Sequence, residues 1–369
     1  MTKDLVKLNK ITEKTWRWLK VNETELKDVA IPEYLPFNDN NIINDSAKKY
    51  IETDSVNIQN VVNKFGSYDN SVGISEEVNL INEDNCNFKY ILHIKGNEKV
   101  NEPIIIDYSL NDANSSLIEN ITIVAEKYSE VTILIKYGTN SDDYMFHNGM
   151  IKIYADDNST INLVKVQTLN DKSINMEAVA VYAGYNTKVN TSIIDVGSHT
   201  SIQSYSSYLI GNGSKATLKN IYFGANNNIL DMNYTMNHIG KKSDSSIIVK
   251  GALKDGSKKT FRGTIDFKQG ATESTGEESE NVMLLSDNVK TDSVPLLLCG
   301  EDDVSGAHAA SVGKINEEKL FYLMSRGFSK KEANKIIIEG EFSSIINTIP
   351  DESTIEMVVE LIQRRLENE

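Results

Sequence analysis

The sequence predicts a mainly β fold of the β-solenoid type, with an α-helical region before it and another after it. Short β-branched segments such as residues 151–154 (IKIY) and 161–166 (INLVKV) recur between polar turns, which is typical of strands. The turns repeat at a nearly constant interval. Residues 313–369 instead carry apolar side chains at helical spacing.

The first region, residues 1–75, is predicted to be a small helical subdomain. Trp16 and Trp18 lie in the polar segment TWRWLKVNETEL, and the loop signals Pro32 and Pro36 follow it. Between residues 44 and 65, apolar side chains recur at roughly helical spacing. We therefore expect helices before residue 76.

The central region, residues 76–312, is predicted to form the stacked coils of a β-solenoid. Six turns each place a hydroxyl residue directly before a new strand: Ser129, Ser159, Thr187, Ser214, Ser243 and Ser257. Their successive spacings are 30, 28, 27, 29 and 14 residues, a period near 28 with one half step. A unit of this length cannot bury its own apolar face, but stacked units share one core. An antiparallel sandwich or jelly roll, which also has many short strands, is the alternative.

The last region, residues 313–369, is predicted to be a domain of three short helices. Each helix begins at a polar side chain that can accept a hydrogen bond from the first turn. The predicted caps and stops are Asn316 and Gly327 for the first helix, Ser329 with Glu332 and then Gly340 for the second, and Ser353 with Glu356 for the third.

Composition excludes several classes of function. A net charge of −15 disfavours nucleic acid and anionic membranes as partners, because both attract clustered Lys and Arg. Cys86 and Cys299 are too few for a disulphide framework or a four-thiolate site. Residues 1–20 lack the regions of a signal peptide and no apolar run is long enough for a membrane span, so we expect a cytoplasmic protein.

The usual catalytic motifs are absent from the sequence. Residues 211–218 (GNGSKATL) contain Gly and Lys but lack the spacing of a P-loop, and there is no G-x-S-x-G, H-E-x-x-H or Cys-x-x-Cys. The acidic run at residues 273–280 (ESTGEESE) is interpreted as a solvated loop, with acid–base or cation chemistry as the alternative. We therefore expect that the chain is not itself an enzyme.

His308 is the strongest candidate for a functional residue. It lies in a stretch of small residues, 305–311 (SGAHAAS), which is interpreted as a turn. Without bulky neighbours its imidazole is open to a partner surface or to iron, zinc or copper. One histidine makes no metal site without further ligands, so a histidine hydrogen-bonded within the turn is the alternative.

Two other residues receive structural assignments. Arg262 and Asp266 are four residues apart on one face of a predicted strand and are expected to form an ion pair. Cys299, nine residues before His308, is expected to be a buried structural thiol, and the alternative is that it faces the same partner surface as His308.

Several segments resemble the SufB/SufD family of iron–sulphur cluster assembly proteins. They are FRGTIDFKQGA from Phe261, MLLSDNVKTDSVPLL from Met283, EDDVSGAHAASVGKI from Glu301 and LFYLMSRGFSKKEA from Leu320. The segment TWRWLKVNETEL is similar to SufD-type members, and Glu280 stands where SufB-type members carry a scaffold cysteine. The resemblance implies a right-handed parallel β-helix flanked by N-terminal and C-terminal α-helical domains.

The resemblance also implies partners and a transient cargo. A SufB-like scaffold protein would pair with the chain through the β-helices, and His308 matches the histidine that SufD-type members place at that interface as a candidate ligand of iron or the cluster. No cofactor is expected in the isolated chain. A SufC-like ABC-type ATPase would bind helices matching residues 317–342. The expected docking residues are Leu320, Phe321, Met324, Arg326, Phe328 and Phe342.

Two other functions stay open. The first is a β-helix carbohydrate-active enzyme for acidic polysaccharide, which the excess of negative charge and the missing signal peptide disfavour. The second is a purely architectural partner of SufB with no metal role. A homodimer of the isolated chain is also left open.

Overall fold

A central β-solenoid carries an N-terminal part and three C-terminal helices on its outer faces. The structure, a computed structural model, describes residues 2–11, 13, 15, 19–38, 42–52, 58–66, 68 and 72–367; Trp16 and Trp18 lie outside them. The prediction of a mainly β solenoid is confirmed. Its strands pair in parallel, which excludes the antiparallel sandwich.

The N-terminal part contains strands as well as helices. Its elements are β1 (Thr2–Leu8), β2 (Thr24–Ala30), a 3-10 helix (Asp45–Tyr50), β3 (Ile51–Glu52), α1 (Gln59–Phe65) and α2 (Glu76–Asn85). β1 and β2 pair as an antiparallel hairpin, so the prediction of a helical region is wrong there. Leu5, Leu8, Leu26 and Val29 are buried in one cluster with residues on the outside of the solenoid. Contacts distant in sequence therefore decide the local structure.

The solenoid strands alternate between two parallel sheets. In chain order they are β4 (Phe88–Ile94), β5 (Ile104–Leu110), β6 (Ser116–Ala125), β7 (Glu130–Thr139), β8 (Phe146–Ala155), β9 (Thr160–Thr168), β10 (Ile174–Ala183), β11 (Lys188–Asp195), β12 (Thr200–Leu209), β13 (Lys215–Gly224), β14 (Ile229–His238), β15 (Asp244–Leu253), β16 (Lys258–Phe267), β17 (Ser274–Leu284), β18 (Lys290–Cys299) and β19 (Val304–Lys314). Even-numbered strands form one sheet and odd-numbered strands the other. Each coil therefore contributes one strand to each sheet.

The turns account for the period of hydroxyl residues. Ser129, Ser159, Thr187 and Ser243 each precede an odd-numbered strand, and their hydroxyls donate to the carbonyl three residues earlier. The residue before each of them has a positive φ, which closes the turn tightly. Ser257 precedes β16 in the other sheet. The short spacing of 14 residues from Ser243 to Ser257 thus corresponds to the change from one sheet to the other within a coil.

The solenoid interior holds hydrogen-bonded polar groups within its apolar core. The fully buried hydroxyl of Tyr137 donates to Glu119 Oε1 at 2.5 Å, and that of Tyr234 donates to Gln203 Oε1 at 2.6 Å. Burial raises the pKa of both tyrosines well above the ordinary value, so both remain neutral donors. These polar side chains enter the core together with a hydrogen-bonding partner.

Arg262 fastens the N-terminal hairpin to the outside of the solenoid. Its fully buried guanidinium donates from Nη1 to Asp231 Oδ1 at 2.7 Å. Nε donates to the carbonyl of Val21 at 2.6 Å, and Nη2 donates to Thr24 Oγ1 at 3.1 Å. The predicted pair with Asp266 is wrong, because residues four apart on a strand are separated by about 13 Å whereas Asp231 lies on the adjacent strand β14.

The N-terminal end of the solenoid is covered. β3 pairs antiparallel with β4, and Ile43 forms a bridge to Ile106 in β5. Phe37 and Tyr50 are buried against the apolar interior of the first coil. The first coil is therefore capped, as stacked repeats require at their ends.

The three predicted C-terminal helices are present as α3 (Glu317–Ser325), α4 (Lys330–Ile346) and α5 (Glu352–Glu367). The Asn316 side chain accepts from the backbone N–H of Lys319, and Ser329 with Glu332 forms the predicted capping box. Both caps are confirmed. They depend on residues three apart in sequence and need no tertiary contact.

Two helix boundaries differ from the prediction. α4 continues through Gly340, because Ile345 and Ile346 are buried against the solenoid and sustain the helix beyond it. The N–H of Thr354 is accepted by Asp351 Oδ2, so α5 begins before the predicted box at Ser353. None of the described helices combines the length and apolar composition needed to span a bilayer.

Helices α4 and α5 share a core with the odd-numbered sheet. Ile338, Phe342 and Val358 are fully buried in one cluster with Ile194 and Phe223 of the solenoid. These two helices are thus fixed to the solenoid, whereas α3 contains no buried residue.

Candidate functional site

The C-terminal end of the solenoid is open. β18 and β19 are the last strands of their sheets, and neither pairs with a further strand in the described part of the chain. All of β19 after Val304 is exposed. An unpaired edge presents backbone donors and acceptors that favour pairing with another chain. Because the opposite end is capped, this end is the candidate partner surface.

His308 lies in the middle of β19 and not in a turn, so the prediction of a turn is wrong. The parallel register pairs His308 with Glu278 of β17 and Gly306 with Gly276. A Cβ on Gly306 would lie 2.6 Å from a methyl carbon of Leu297, so Gly306 faces the solenoid interior. His308, two residues later, faces the same way. The exposed imidazole therefore projects at the open end, above Glu278.

Glu278 is an unusual carboxyl group within the solenoid. It is 5% exposed, and its Oε2 has no hydrogen-bond partner among the described residues. Burial, and secondly the charge of Glu280, raise the pKa of Glu278 to about 8. A Cβ on Gly263 would lie 2.3 Å from the carboxyl carbon, so the glycine in β16 leaves room for this group.

Glu280, two residues further along β17, is fully paired. Its Oε1 lies 2.6 Å from Lys259 Nζ, and its Oε2 accepts from Ser293 Oγ at 2.5 Å. Lys259 also donates to Ser293 Oγ at 2.9 Å. Burial lowers the pKa of Lys259, and the charge of Glu280 opposes that effect. The two neighbouring carboxyl groups thus differ: among the described residues, Glu280 has a cationic partner and Glu278 has none.

Sequence reasoning missed these buried carboxyl groups. The acidic run at residues 273–280, interpreted as a solvated loop, lies mostly in β17, where alternate residues are buried. Glu278 and Glu280 face inward, whereas Glu277 faces solvent. The signal available in the sequence was the spacing of two residues, which places both carboxyl groups on the same face of the strand as the apolar Val282.

Cys299 is exposed at the end of β18, so the prediction of a buried structural thiol is wrong. Its ladder partner is Phe267, and β18 has no later coil to cover it. The described residues contain no group of three His, Cys, Asp or Glu side chains placed to hold a metal ion. Glu278 and His308, which are paired in the ladder, therefore have no third such ligand placed with them among the described residues.

Helix α3 and the segment after it present an apolar surface, which we call the α3 surface. It is formed by Phe321, Tyr322 and Met324 of the helix and by Phe328. Phe321 is 75% exposed, and the other three are between 42% and 56% exposed. The guanidinium of Arg326 lies 5.2 Å from the centre of the Tyr322 ring. Exposed aromatic and Met side chains grouped in this way mark interaction sites.

Two of the predicted docking residues differ from the rest. Leu320 is half-buried and packs against the core between the helices and the solenoid. Phe342 is fully buried in that core. Its assignment to a docking surface is therefore wrong, because it lies on the face of α4 that contacts the solenoid.

Comparison with known proteins places the chain among iron–sulphur assembly proteins. Residues 108–341 match the family described as SUF system FeS cluster assembly, SufBD core domain. The chain is 29% identical over 280 residues to the iron–sulphur cluster assembly protein SufD of Bacillus subtilis, covering 74% of this chain and 63% of that protein. It is 25% identical over 271 residues to SufBD family proteins of Staphylococcus epidermidis and Staphylococcus aureus, covering 72% of this chain and 57% of each relative. The chain thus spans about three fifths of the length of these relatives.

Proposed function

Because the chain belongs to the SufBD family of iron–sulphur cluster assembly proteins, we propose that it is a noncatalytic SufD-like subunit of a SufBCD-type complex in the cytoplasm. A SufB-like scaffold protein pairs with the open end of the solenoid. A SufC-like ABC-type ATPase docks on the α3 surface. Iron or an iron–sulphur cluster is the cargo, held transiently between the scaffold and this chain.

The open end of the solenoid is the observation that carries the proposal. A second subunit that added strands to β18 and β19 would pair their free edges and cover the exposed inner side of the last coil. His308 would then lie inside the interface instead of in solvent. The imidazole would be within reach of ligands from both subunits.

The α3 surface supports the second contact. It is apolar, and its helix contains no residue buried by the chain itself. Arg326 at its border supplies the planar cation that protein interfaces favour. A partner could therefore bury Phe321 and Met324 while the hydrophobic core of this chain stays intact.

The two contacts are mechanically connected. β19 ends at Lys314 and α3 begins at Glu317, so only two residues separate the strand that carries His308 from the docking helix. Nucleotide-driven closure of the ATPase would move α3 and thereby pull on β19. The interface around His308 would change with each nucleotide cycle.

The role of His308 is tested by anaerobic coexpression with the SufB-like and SufC-like partners. His308→Ala should leave the complex intact and lower the amount of cluster, measured by absorbance and iron content. His199→Ala is the matched control, because His199 is a partly exposed histidine in the turn before β12. Normal cluster yield in His308→Ala would reject the metal role and leave an architectural one.

The docking assignment is tested by replacing apolar residues of the α3 surface with charged ones. Phe321→Glu with Met324→Glu should abolish binding of the ATPase in a pull-down, because two charges would be buried without partners. Leu80→Glu is the control, since Leu80 is 51% exposed on α2 at the other end of the sequence. Retained binding by the double variant would reject the docking surface.

A further inference from the structure

The buried carboxyl group of Glu278 and the imidazole of His308 occupy adjacent positions of one ladder. Parallel pairing places them directly opposite each other on β17 and β19. Neighbouring strands are about 4.8 Å apart, and paired residues of a parallel ladder point to the same face. The two side chains therefore both point into the solenoid interior, and His308 lies one coil nearer the open end than Glu278.

We propose that Glu278 and His308 form this chain's half of an Fe(II) site, whose remaining ligands come from the partner subunit. The inference rests on the proposed function, because that function supplies both the iron and the partner. It adds a second ligand residue, from the preceding coil, to the histidine on the edge strand.

The unpartnered oxygen of Glu278 is the first support. Its Oε2 is buried and accepts no hydrogen bond from the described residues, and the ionised form of a buried carboxyl group needs a cation or several donors. Lys259 and Ser293 are both occupied by Glu280 on the same strand. A bound cation would supply the missing partner.

The small residues around the two ligands are the second support. In β16, Gly263 leaves the space that the Glu278 carboxyl occupies. On the inward side of β19, His308 lies between Gly306 and Ala310, so neither neighbour covers the imidazole. The inward row of β19 therefore has no large side chain beside the imidazole.

The ligand chemistry selects the class of metal. A carboxylate oxygen with an imidazole nitrogen suits divalent first-row metals such as Fe(II), and is too hard a pair to select Cu(I). Two ligands leave several coordination positions free. A site of this kind is incomplete until a partner closes it, which agrees with the absence of a third His, Cys, Asp or Glu ligand among the described residues.

The direct test measures Fe(II) binding by the full chain under anaerobic conditions. Histidine labelled with ¹³C at Cε1 gives one signal per histidine, and His308→Ala identifies the signal of His308. Fe(II) alone should broaden that signal. In Glu278→Gln, the broadening should require at least about tenfold more Fe(II), since loss even of an outer-shell partner costs about 10- to 100-fold in metal affinity.

Glu277→Gln is the matched control, because Glu277 is an exposed carboxylate on the same strand that faces outward. It should bind Fe(II) as the unaltered chain does. Glu278→Asp keeps the carboxylate, so the Fe(II) concentration that it needs should lie between those of the unaltered chain and Glu278→Gln. It serves as the test variant if Glu278→Gln does not fold. Equal Fe(II) dependence for the unaltered chain and the Glu278 variant that folds would overturn the proposal.

Cluster yield in the three-protein complex separates this inference from the proposed function. If His308→Ala lowers the yield while Glu278→Gln changes neither the yield nor Fe(II) binding, Glu278 is rejected and the proposed function stands. If no complex forms with the scaffold protein although Glu278→Gln weakens Fe(II) binding, the proposed function is rejected and the two-ligand site stands.

Discussion

Replacing Arg262 by Met should release the N-terminal hairpin from the solenoid while the solenoid stays folded. The side chain is fully buried and its three hydrogen bonds join β16 to Asp231, Val21 and Thr24. Met has similar length but donates no hydrogen bond. The hairpin would lose its polar attachment and keep its apolar contacts.

The free-energy cost of Arg262→Met follows from the carboxylate that loses its cationic partner. Asp231 is 1% exposed, and without the guanidinium its carboxylate keeps, among the described residues, only the donors from Asn9 and Thr24. Removing one partner of a buried ion pair typically costs about 3–5 kcal/mol. Because 1.4 kcal/mol is a factor of ten, a loss of about 3 kcal/mol raises the open population of the hairpin roughly 100-fold.

Amide hydrogen exchange of peptides covering β2 measures that population. Exchange there should accelerate by about two orders of magnitude, whereas exchange in β10 and β12 should stay unchanged. Lys268→Met is the control, since it removes the half-exposed ion pair with Asp266 and should cost less than about 1 kcal/mol. Adding Asp231→Asn to Arg262→Met should recover part of the loss by removing the unpaired charge. Unchanged exchange of β2 in Arg262→Met would refute the assigned role of Arg262.

Three further predictions concern stability. Because the pKa of Glu278 is raised, the stability that its carboxyl group contributes to the folded state is fully present below about pH 4.5 and is lost as pH rises through about 8. In Glu278→Gln, the free energy of unfolding measured with denaturant should therefore fall less over that range. Asp351→Ala should lower the thermal midpoint through a cap loss of about 0.5–2 kcal/mol, and Ser353→Ala should leave the midpoint nearly unchanged if Asp351 is the cap. Gly251→Ala would place a Cβ 2.0 Å from the ring of Tyr222, so it should cost about 1–3 kcal/mol in urea unfolding, and a neutral effect would contradict the packing of that coil.

Local and periodic features were predictable from the sequence. The recurring hydroxyls predicted the solenoid because each closes a turn through its own backbone, three residues away. The caps at Asn316 and Ser329 are local in the same sense. Such signals do not depend on what the segment later packs against.

Features that depend on stacking were not predictable. Phe321 and Phe342 are the same residue type on successive helices, yet one is exposed and the other is buried against the solenoid. The acidic segment of β17 reads as a loop until the coils on either side bury its alternate residues. The hairpin of β1 and β2 likewise depends on Arg262, more than 230 residues away in sequence. The resemblance to the SufB/SufD family, in contrast, followed from sequence segments alone and is confirmed.

Amide hydrogen exchange of β19 is the most direct test of the central claim that the open end of the solenoid is completed by a scaffold subunit. Peptides covering Val304–Lys314 should exchange rapidly in the isolated chain, because this strand is exposed and its outer edge is unpaired. In the complex with the SufB-like and SufC-like partners, the same peptides should become strongly protected. Equally rapid exchange in the isolated chain and in the complex would contradict the account.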